Sequence, residues 1–507
     1  MTLQRRMRTE VLAAAALALV GLVGCTTTSG GSENGGDVAQ ELAVAVQFPI
    51  ENLDPHGASA MDNGTQIAAK AIFSPLVRIV GKSQFEGVLA ESWQTNADAS
   101  EWTFKLRDNV TFSDGSPVTG SDVVASFNRV VSLAGPMAVN FKDHQARVDG
   151  TDTVVITGKG PDPALLGKLV TFYVTPANQD KAGWEKPIGS GPFVLQQFAP
   201  GQNLVLGANP KYWAGKPQLD RLELRSIQEI AARMTALKTG EVGLTWAMPD
   251  DQIPALRSDP DLAVEKLDGG AVVTMWMNSS AKGLTSPAVR RALWQAVDFE
   301  TIIKSLYPET GALANSVIGT NVLGYAPQTP VKYDPVAAKA ALDAAGWDYG
   351  QTIRFQFSQP QFQQFTDAVA SDLAKIGVKV DPTQKESAVF LQDLLALNWD
   401  LNIQQLGTAG FDAATNLGRL YTCAAKRTGY CNAELDNLLA QAGSTSDTAK
   451  RQDLYAQASK IIWDDAVGMY PMFVQIPYAR SKTLQDFTLP VDGVPDFAKV
   501  RIGSDAR

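Results

Sequence analysis

Histidine and cysteine are scarce in this chain of 507 residues, which has two histidines and three cysteines. His56 and His144 stand far apart in sequence and far from Cys423 and Cys431, so a zinc site has little support. We therefore expect neither a metal nor any other cofactor. Two imidazoles also leave little material for general acid–base catalysis. The scarcity of histidine and cysteine therefore argues most strongly against a metalloenzyme, and less strongly against other enzymes.

Clusters of basic residues interleaved with aromatics are also missing, and the net charge is −9. A nucleic-acid partner would find no docking surface on such a chain. Hydrophobic residues make up 45% and charged residues 19%, which is ordinary for a globular protein. The length allows two or three domains.

The longest apolar run lies at the N-terminus, from Val11 to Val23, and three arginines precede it. It is too short to span a bilayer, and we interpret residues 1–24 as a signal peptide. The run closes on residues 22–25, Leu-Val-Gly-Cys, which resemble the lipobox of bacterial lipoproteins. The resemblance implies a lipid on Cys25 and a protein exported to the outer face of the cytoplasmic membrane. The alternative is that Cys25 is an ordinary residue of the apolar run.

The segment that follows, residues 25–40, is rich in glycine, serine and threonine and predicts a flexible tether. The remaining cysteines, Cys423 and Cys431, are eight positions apart in a polar segment. In an exported protein this spacing favours a local disulfide. Two free thiols, or half of a metal site, are the alternatives.

Strand and helix signals alternate along the chain. Trp102, Phe104 and Leu106 alternate with polar residues, as in a half-buried strand, and the turn signal Asp114-Gly115 suggests a hairpin with residues 110–112. Thr119 with Asp122 predicts a capping box at the start of a helix. Ser286-Pro287 and Asp334-Pro335 begin further helices, the second of which ends at Gly346. The pattern predicts a mixed α/β chain.

Longer strings resemble one family. They are Leu89-Ala90-Glu91-Ser92-Trp93, Trp102 to Arg107, Val110 to Thr119, Gly189 to Phe193, Asn209 to Pro217, Leu237 to Glu241, Val289 to Leu293, and Tyr333-Asp334-Pro335. Together they closely resemble the extracellular solute-binding proteins of dipeptide, oligopeptide and nickel ABC importers. The resemblance runs from about Val44 to near the C-terminus.

This resemblance implies an α/β, two-lobed fold of the periplasmic-binding-protein type II kind, with an extra subdomain on the first lobe. It implies lobe I with the subdomain at 41–275, lobe II at 276–476, and a return to lobe I at 477–507. It also implies a monomer that captures a peptide or similar small ligand between its lobes. The expected partners are the ligand, the ABC permease subunits and, through Cys25, the membrane.

The resemblance also suggests ligand contacts. The stretch 402–412 is similar to the one that runs beside the ligand in peptide-binding relatives, and it supplies Gln405, Gly407, Thr408, Ala409 and Asp412. Ala409 stands where relatives have the Asp that binds the peptide amine, and Ile403 stands near the place of the usual Arg. A dipeptide clamped at both charged ends is therefore not expected. Asp412 has an equally supported structural role, as the cap of the next helix.

Further ligand candidates are Met61, Asn63, Trp246 and Trp276, since they fall near cleft or hinge segments. A Trp face with a polar edge can grip ligands of mixed polarity. Core packing is the alternative for at least one of the tryptophans.

Two other functions fit parts of the sequence. Ser279 to Lys282 matches S-x-x-K and Lys238-Thr239-Gly240 matches K-T-G, two elements of penicillin-recognising serine enzymes. Their order is reversed here, no S-D-N lies between them, and we disfavour an enzyme. The other alternative is a binding-protein fold reused as a cell-envelope scaffold or regulatory lipoprotein without transport, because fold does not fix function.

Overall fold

A long mixed β-sheet runs through the molecule in the computed structural model, which describes residues 38–179 and 183–504. The predicted signal peptide, most of the tether and Cys25 lie outside the described residues. The strands are β1 Glu41–Val46, β2 Ser74–Pro75, β3 Val77–Gly81, β4 Gln84–Gly87, β5 Ala90–Thr95, β6 Glu101–Leu106, β7 His144–Asp149, β8 Thr153–Gly158, β9 Tyr173–Val174, β10 Phe193–Ala199, β11 Asn203–Ala208, β12 Arg221–Ser226, β13 Leu244–Trp246, β14 Leu262–Met277, β15 Gly311–Leu313, β16 Thr352–Phe357, β17 Lys379–Gln384, β18 Leu401–Gly407, β19 Gly468–Ser481, β20 Leu484–Gln485 and β21 Arg501–Ile502.

The large sheet has the order β10-β11-β12-β1-β13-β19-β14-β18-β16-β17, with β15 paired to β19. Its central strands are the two longest, β14 and β19, which run antiparallel to each other from Leu262 opposite Ser481 to Trp276 opposite Gly468. Parallel pairs occur on both sides, β1 with β12 and β16 with β17. A separate four-stranded sheet has the order β5-β6-β8-β7.

Helices cover these sheets. They are α1 Asn63–Ile72, α2 Gly120–Leu133, α3 Leu165–Leu169, α4 Ile230–Lys238, α5 Ile253–Arg257, α6 Pro287–Gln295, α7 Phe299–Leu306, α8 Pro335–Ala344, α9 Gln363–Lys375, α10 Ser387–Leu395, α11 Ala413–Tyr421, α12 Ala433–Ala442 and α13 Thr448–Asp464. Short 3₁₀ turns span Pro136–Asn140, Pro360–Phe362, Ala409–Phe411 and Cys423–Ala425. Among the residues the structure describes, no helix is both long enough and apolar enough to cross a membrane.

The helix starts predicted from the sequence are confirmed. Thr119 and Asp122 form the reciprocal capping box of α2. Asp334 caps α8, with its carboxylate accepting the N–H of Ala337, and Pro335 follows at the first helical position. Gly346, just beyond the end of α8, has φ of 71°, a conformation in which glycine avoids the cost that a side chain would bring.

The tight turn predicted at Asp114-Gly115 is present, and the chain folds back on itself there over a few residues. Residues 101–106 do form the strand β6, but its neighbours are β5 and β8. Around the turn, Thr111 bridges Pro117, the N–H of Phe112 donates to the carbonyl oxygen of Ser116, and that of Val118 donates to the carbonyl oxygen of Val110. The predicted strand and the predicted turn are therefore both present, although they belong to different strand pairs.

Buried residues divide into separate cores. The largest contains Val272 to Met277 of β14 and extends to Phe473 of β19. A second packs β1, β11 and β12 with Trp246 and Tyr478. The third fills the four-stranded sheet and α2, and we call the part from Val77 to Leu169 the subdomain. The first two cores therefore lie at opposite ends of the β14–β19 pair.

Cys423 and Cys431 form a disulfide. It closes the loop between α11 and α12, where the backbone N–H of Cys423 also donates to the carboxylate of Asp436. The disulfide therefore stabilises a local turn between two helices that pack in the largest core.

Candidate functional site

A cavity of about 630 Å³ opens where β14 and β19 pass from one core to the other. The residues lining it from the second core's side include Gln47, Asn63 and Trp246. Facing them are Thr310, Gln361 and Gln405, which belong to the segments around the largest core. Residues 474–478 of β19 complete the wall. The cavity thus lies between the second core and the largest core, which β14 and β19 connect.

Two stacked aromatic rings form one wall of the cavity. The rings of Trp246 and Tyr478 lie 5.6 Å apart between centroids with an interplanar angle of 17°. The strands fix this pair, because β13 and β19 place Trp246 directly opposite Tyr478 in their antiparallel register. Trp246 retains 8% of its exposure, so an edge of the ring remains available in the cavity. Burial raises the pKa of Tyr478, whose hydroxyl donates to the carbonyl oxygen of Gly493 at 3.4 Å.

The backbone beside this wall is strained. Ala247 has φ of 56°, an uncommon conformation for a residue with a side chain. Its N–H donates to the carbonyl oxygen of Pro477 at 2.9 Å, which holds the turn in place. Strain of this kind costs about 1 kcal/mol or more and tends to accumulate at ligand sites.

Side-chain amides make up much of the cavity's polar surface. Gln47, Asn63, Gln361 and Gln405 all line it, and no hydrogen bond joins their side chains to another described residue. Gln475 differs, since its Nε2 donates to Asp268 at 2.9 Å. The four unpaired amides can each donate and accept, which suits a ligand that also carries both kinds of group.

Charge is nearly absent from the same surface. Asp492 is the charged residue among the described residues that line the cavity. Its Oδ2 accepts from Lys70 Nζ at 2.7 Å, and Oδ1 accepts the N–H of Val494. Because the carboxylate is already neutralised, the cavity offers no free anion to a ligand amine.

The residues predicted from the sequence fall into two groups. Asn63, Trp246 and Gln405 line the cavity. Met61 is 39% exposed, just ahead of α1, and is not among the lining residues. Trp276 is not there either, because its ring is buried in the largest core, with Nε1 donating to the Tyr421 hydroxyl at 3.0 Å. We leave Met61 and Trp276 out of the candidate site. Core packing accounts for the position of Trp276.

The rest of the predicted stretch turns away from the cavity after Gln405. Gly407 ends β18 with open space where a side chain would lie. Thr408 is buried, and its hydroxyl accepts from Asn416 at 3.0 Å. Ala409 begins a short 3₁₀ turn that leads to Asp412.

Asp412 is fully engaged by groups of this chain. Its Oδ1 accepts the N–H of Ala414, which caps α11, and the hydroxyl of Tyr455. Its Oδ2 forms an ion pair with Arg451 in which both side chains are buried. These contacts support the structural role for Asp412, and we leave it out of the candidate site.

Gln47, Thr310 and Gln361 were missed by the sequence reasoning. They stand in loops or in a 3₁₀ turn, and a polar residue in such a place is usually solvated. Only the strand order, which brings residues 47, 310 and 361 to one cavity, distinguishes them.

The serine-enzyme alternative gains nothing from the geometry. Ser279 lies in a turn after β14, and its hydroxyl donates to the carbonyl oxygen of Met277. The Lys282 side chain is 86% exposed and lies 3.6 Å from Asp348. The K-T-G string stands at the end of α4, which packs in another core.

Known proteins resemble this chain over most of its length. The model of the family described as bacterial extracellular solute-binding proteins, family 5 Middle, matches residues 84–428. The probable D,D-dipeptide-binding periplasmic protein of Escherichia coli (strain K12) is 28% identical over 470 residues, which cover 88% of this chain and 91% of that protein. The glutathione-binding protein of the same strain is 26% identical over 479 residues, which cover 90% and 93%.

A solved structure confirms the architecture. HbpA2 from Haemophilus parasuis matches with a TM-score of 0.84 at 23% identity, over 92% of this chain and 100% of that one. The fold class expected from the sequence, an α/β two-lobed type II binding-protein fold, is therefore confirmed.

Replacing Asp412 tests its structural role. We expect Asp412→Ala to lower the free energy of unfolding by about 3–5 kcal/mol, because Arg451 would remain buried without its carboxylate. Denaturant titration followed by circular dichroism measures the change. Asp367→Ala, on the exposed face of α9, is the matched control and should change stability by no more than about 0.5 kcal/mol. A variant at Asp412 that is as stable as this control but binds ligand poorly would contradict the structural role.

Proposed function

The chain belongs to the bacterial extracellular solute-binding proteins of family 5, and we propose that its solute is a peptide or peptide-like molecule held in the cavity beside Trp246. Members of this family bind small ligands and work with the permease of an ABC importer. This assignment favours solute binding over the scaffold and enzyme alternatives. The observation that carries the peptide proposal is a neutral cavity lined by unpaired amides next to a stacked Trp–Tyr pair.

The chemistry of the lining suits a peptide backbone. Each peptide unit carries one donor and one acceptor, and each of the side-chain amides of Gln47, Asn63, Gln361 and Gln405 offers both kinds of group. Extended peptides are often held through their backbone groups, with room left for their side chains. The curated relatives named above are called dipeptide- and glutathione-binding proteins, which agrees with a solute of this class.

We further propose where the lobes divide. Lobe I would span residues 39–268, lobe II residues 272–473, and the return to lobe I residues 477–504. The support is the register shift of β14 between Asp268 and Val272, together with the two glycines, Gly269 and Gly270, that stand there. Residues 272–277 pack in the largest core, which supports a first crossing ahead of the boundary at 275 expected from the sequence.

A ligand held between such lobes closes the protein because it binds the closed state more tightly than the open one. The permease can then distinguish loaded from empty protein by shape. Binding by a single lobe would give no such signal.

The protein acts outside the cytoplasmic membrane, as its family does. We propose that a lipid on Cys25 holds it at the outer face, with residues 25–40 as the tether. One acyl chain binds membranes only marginally, whereas several chains on one residue anchor firmly.

Replacing Gln405 tests the cavity. Native mass spectrometry of protein purified without refolding should first show a bound molecule of peptide size. In titration calorimetry with D-alanyl-D-alanine, glutathione and trialanine, we expect Gln405→Ala to weaken the tightest of these about tenfold, the cost of about one hydrogen bond. Gln392→Ala, an exposed glutamine on α10, is the control and should leave affinity unchanged. Equal affinities in the two variants would contradict the proposed site.

Blocking the peptide amine tests the absence of an anionic clamp. We expect N-acetyl-trialanine and trialanine to bind with dissociation constants within about threefold of each other. The reason is that Asp492, the charged residue among the described residues that line the cavity, is already paired with Lys70. Competition calorimetry compares the two ligands directly. A loss of a hundredfold or more on acetylation would show that a carboxylate does bind the amine.

Replacing Cys25 tests the anchor. We expect Cys25→Ala in cells to move the protein from the membrane fraction to the soluble fraction, because the thiol that carries the lipid is gone. Metabolic labelling with palmitate and fractionation measure both steps. Cys423→Ala is the control and should keep both the label and the membrane fraction. An unlabelled wild-type protein would contradict the proposal.

A further inference from the structure

The subdomain contacts the segments of lobe II at a place separate from the cavity. The backbone N–H and the hydroxyl of Ser446 both donate to the carbonyl oxygen of Ala97, each at 3.1 Å. Arg451 Nη1 donates to the carbonyl oxygen of Pro163, also at 3.1 Å. Near these, Gly167 of α3 lies against Gly410 so closely that a β-carbon on Gly167 would overlap the Gly410 carbonyl oxygen.

A further contact lies at the edge of this region. Lys82 Nζ is 3.5 Å from the carbonyl oxygen of Tyr325 and 4.6 Å from the centre of its ring. A small cavity of about 220 Å³ lies between the two surfaces, lined by Trp93, Trp102 and Phe411 among others. The contact between the subdomain and lobe II is therefore discontinuous, and its hydrogen-bond acceptors are mostly backbone carbonyl oxygens.

Both surfaces are held rigid before they meet. On the lobe II side, the guanidinium of Arg451 is fixed by Asp412, by the Tyr455 hydroxyl and by the carbonyl oxygen of Ala442. This leaves Nη1 directed at the subdomain. On the other side, Asp162 is bound by Lys168 at 2.6 Å, which fixes the loop that presents Pro163. Preorganised partners lose little conformational entropy when they come together.

We propose that these contacts form a latch that stabilises the closed state independently of the ligand. We name it the subdomain latch, made by Lys82, Ala97, Pro163 and Gly167 on the subdomain and by Tyr325, Gly410, Ser446 and Arg451 on lobe II. The proposal rests on the proposed closing of the lobes. It assigns to the subdomain a task that the cavity residues do not perform, which is to set the fraction of empty protein that is closed.

The consequence for binding follows from linkage. The apparent dissociation constant equals the intrinsic one divided by the fraction of protein in the competent state. A change in the latch therefore changes the affinity for every ligand by the same factor. A change in the cavity acts on each ligand differently.

Gly167→Ala is the most direct test, because alanine suits the α3 helix better than glycine but overlaps Gly410 only when the latch is formed. We expect the amide of Ser446 to exchange with deuterium at least tenfold faster than in wild type, in full-length dialysed protein with no ligand added. Small-angle scattering should show a larger radius of gyration. Protection of core amides such as that of Phe104 should not change.

Gly160→Ala is the matched control. This glycine belongs to the same subdomain, has an ordinary backbone conformation and has open space where the β-carbon would lie. Exchange at Ser446 should equal the wild-type value in this variant. If Gly167→Ala also gives the wild-type exchange rate and radius of gyration, the latch is overturned.

Lys82→Ala and Ser446→Ala provide a second route should Gly167→Ala fail to fold. Each removes one side-chain contact at the surface, and we expect each to speed exchange at residues 446–447 about threefold. Unchanged exchange in both would overturn the latch. Since none of these measurements uses a ligand, failure of the peptide titrations leaves their outcome untouched, and the two proposals can fail separately.

Discussion

The antiparallel pairing of β14 with β19 is the constraint on which the rest of this molecule depends. These two strands are long enough to belong to two cores, and they pair in both, with a register shift between Asp268 and Val272 where they pass from one core to the other. The residues of the cavity wall from Gln475 to Tyr478 are placed by that register. A shift of one residue would turn each side chain to the opposite face of the sheet. The cavity is therefore a product of strand pairing far more than of local loop structure.

The polarity of the cavity follows from the same arrangement. Strands that cross between cores must leave the apolar interior for a few residues, and polar side chains gather around the gap. Amides satisfy this position without adding charge, and a desolvated charge without a partner would be costly there. The Lys70–Asp492 pair shows how the molecule treats the charge that does occur, by pairing it with a neighbouring cation.

The sequence was informative where structure is decided locally. The capping box of Thr119 and Asp122 and the Asp334–Pro335 start needed only a few neighbouring residues, and both are present. Pairing between distant strands is decided at long range, and no local pattern indicated that β6 would pair with β8. The family resemblance supplied the fold as a whole, which no local pattern could have given.

The candidate site shows the same division. Trp246 and Gln405 were predicted from their place in the family pattern, and the structure puts them in the cavity, although their contact with a ligand remains a prediction. Trp276 carries the same kind of side chain as Trp246, but its ring is buried in the largest core and does not reach the cavity. Sequence alone could not decide the face, because β14 is apolar on both sides at that point. Gln361 had no local signal at all.

The latch and the cavity together must satisfy a limit set by signalling. A binding protein reports its load only if the ligand changes the closed fraction substantially, and moving that fraction from 1% to 99% requires a preference for the closed state of about ten-thousandfold. A latch strong enough to close the empty protein would remove this range. The contacts observed are few: hydrogen bonds to neutral carbonyls, one of them from the Arg451 guanidinium, together with one surface lysine and a contact between two glycines. The limited strength of the latch is therefore a condition for its use, since it adds to closure while leaving the ligand to decide it.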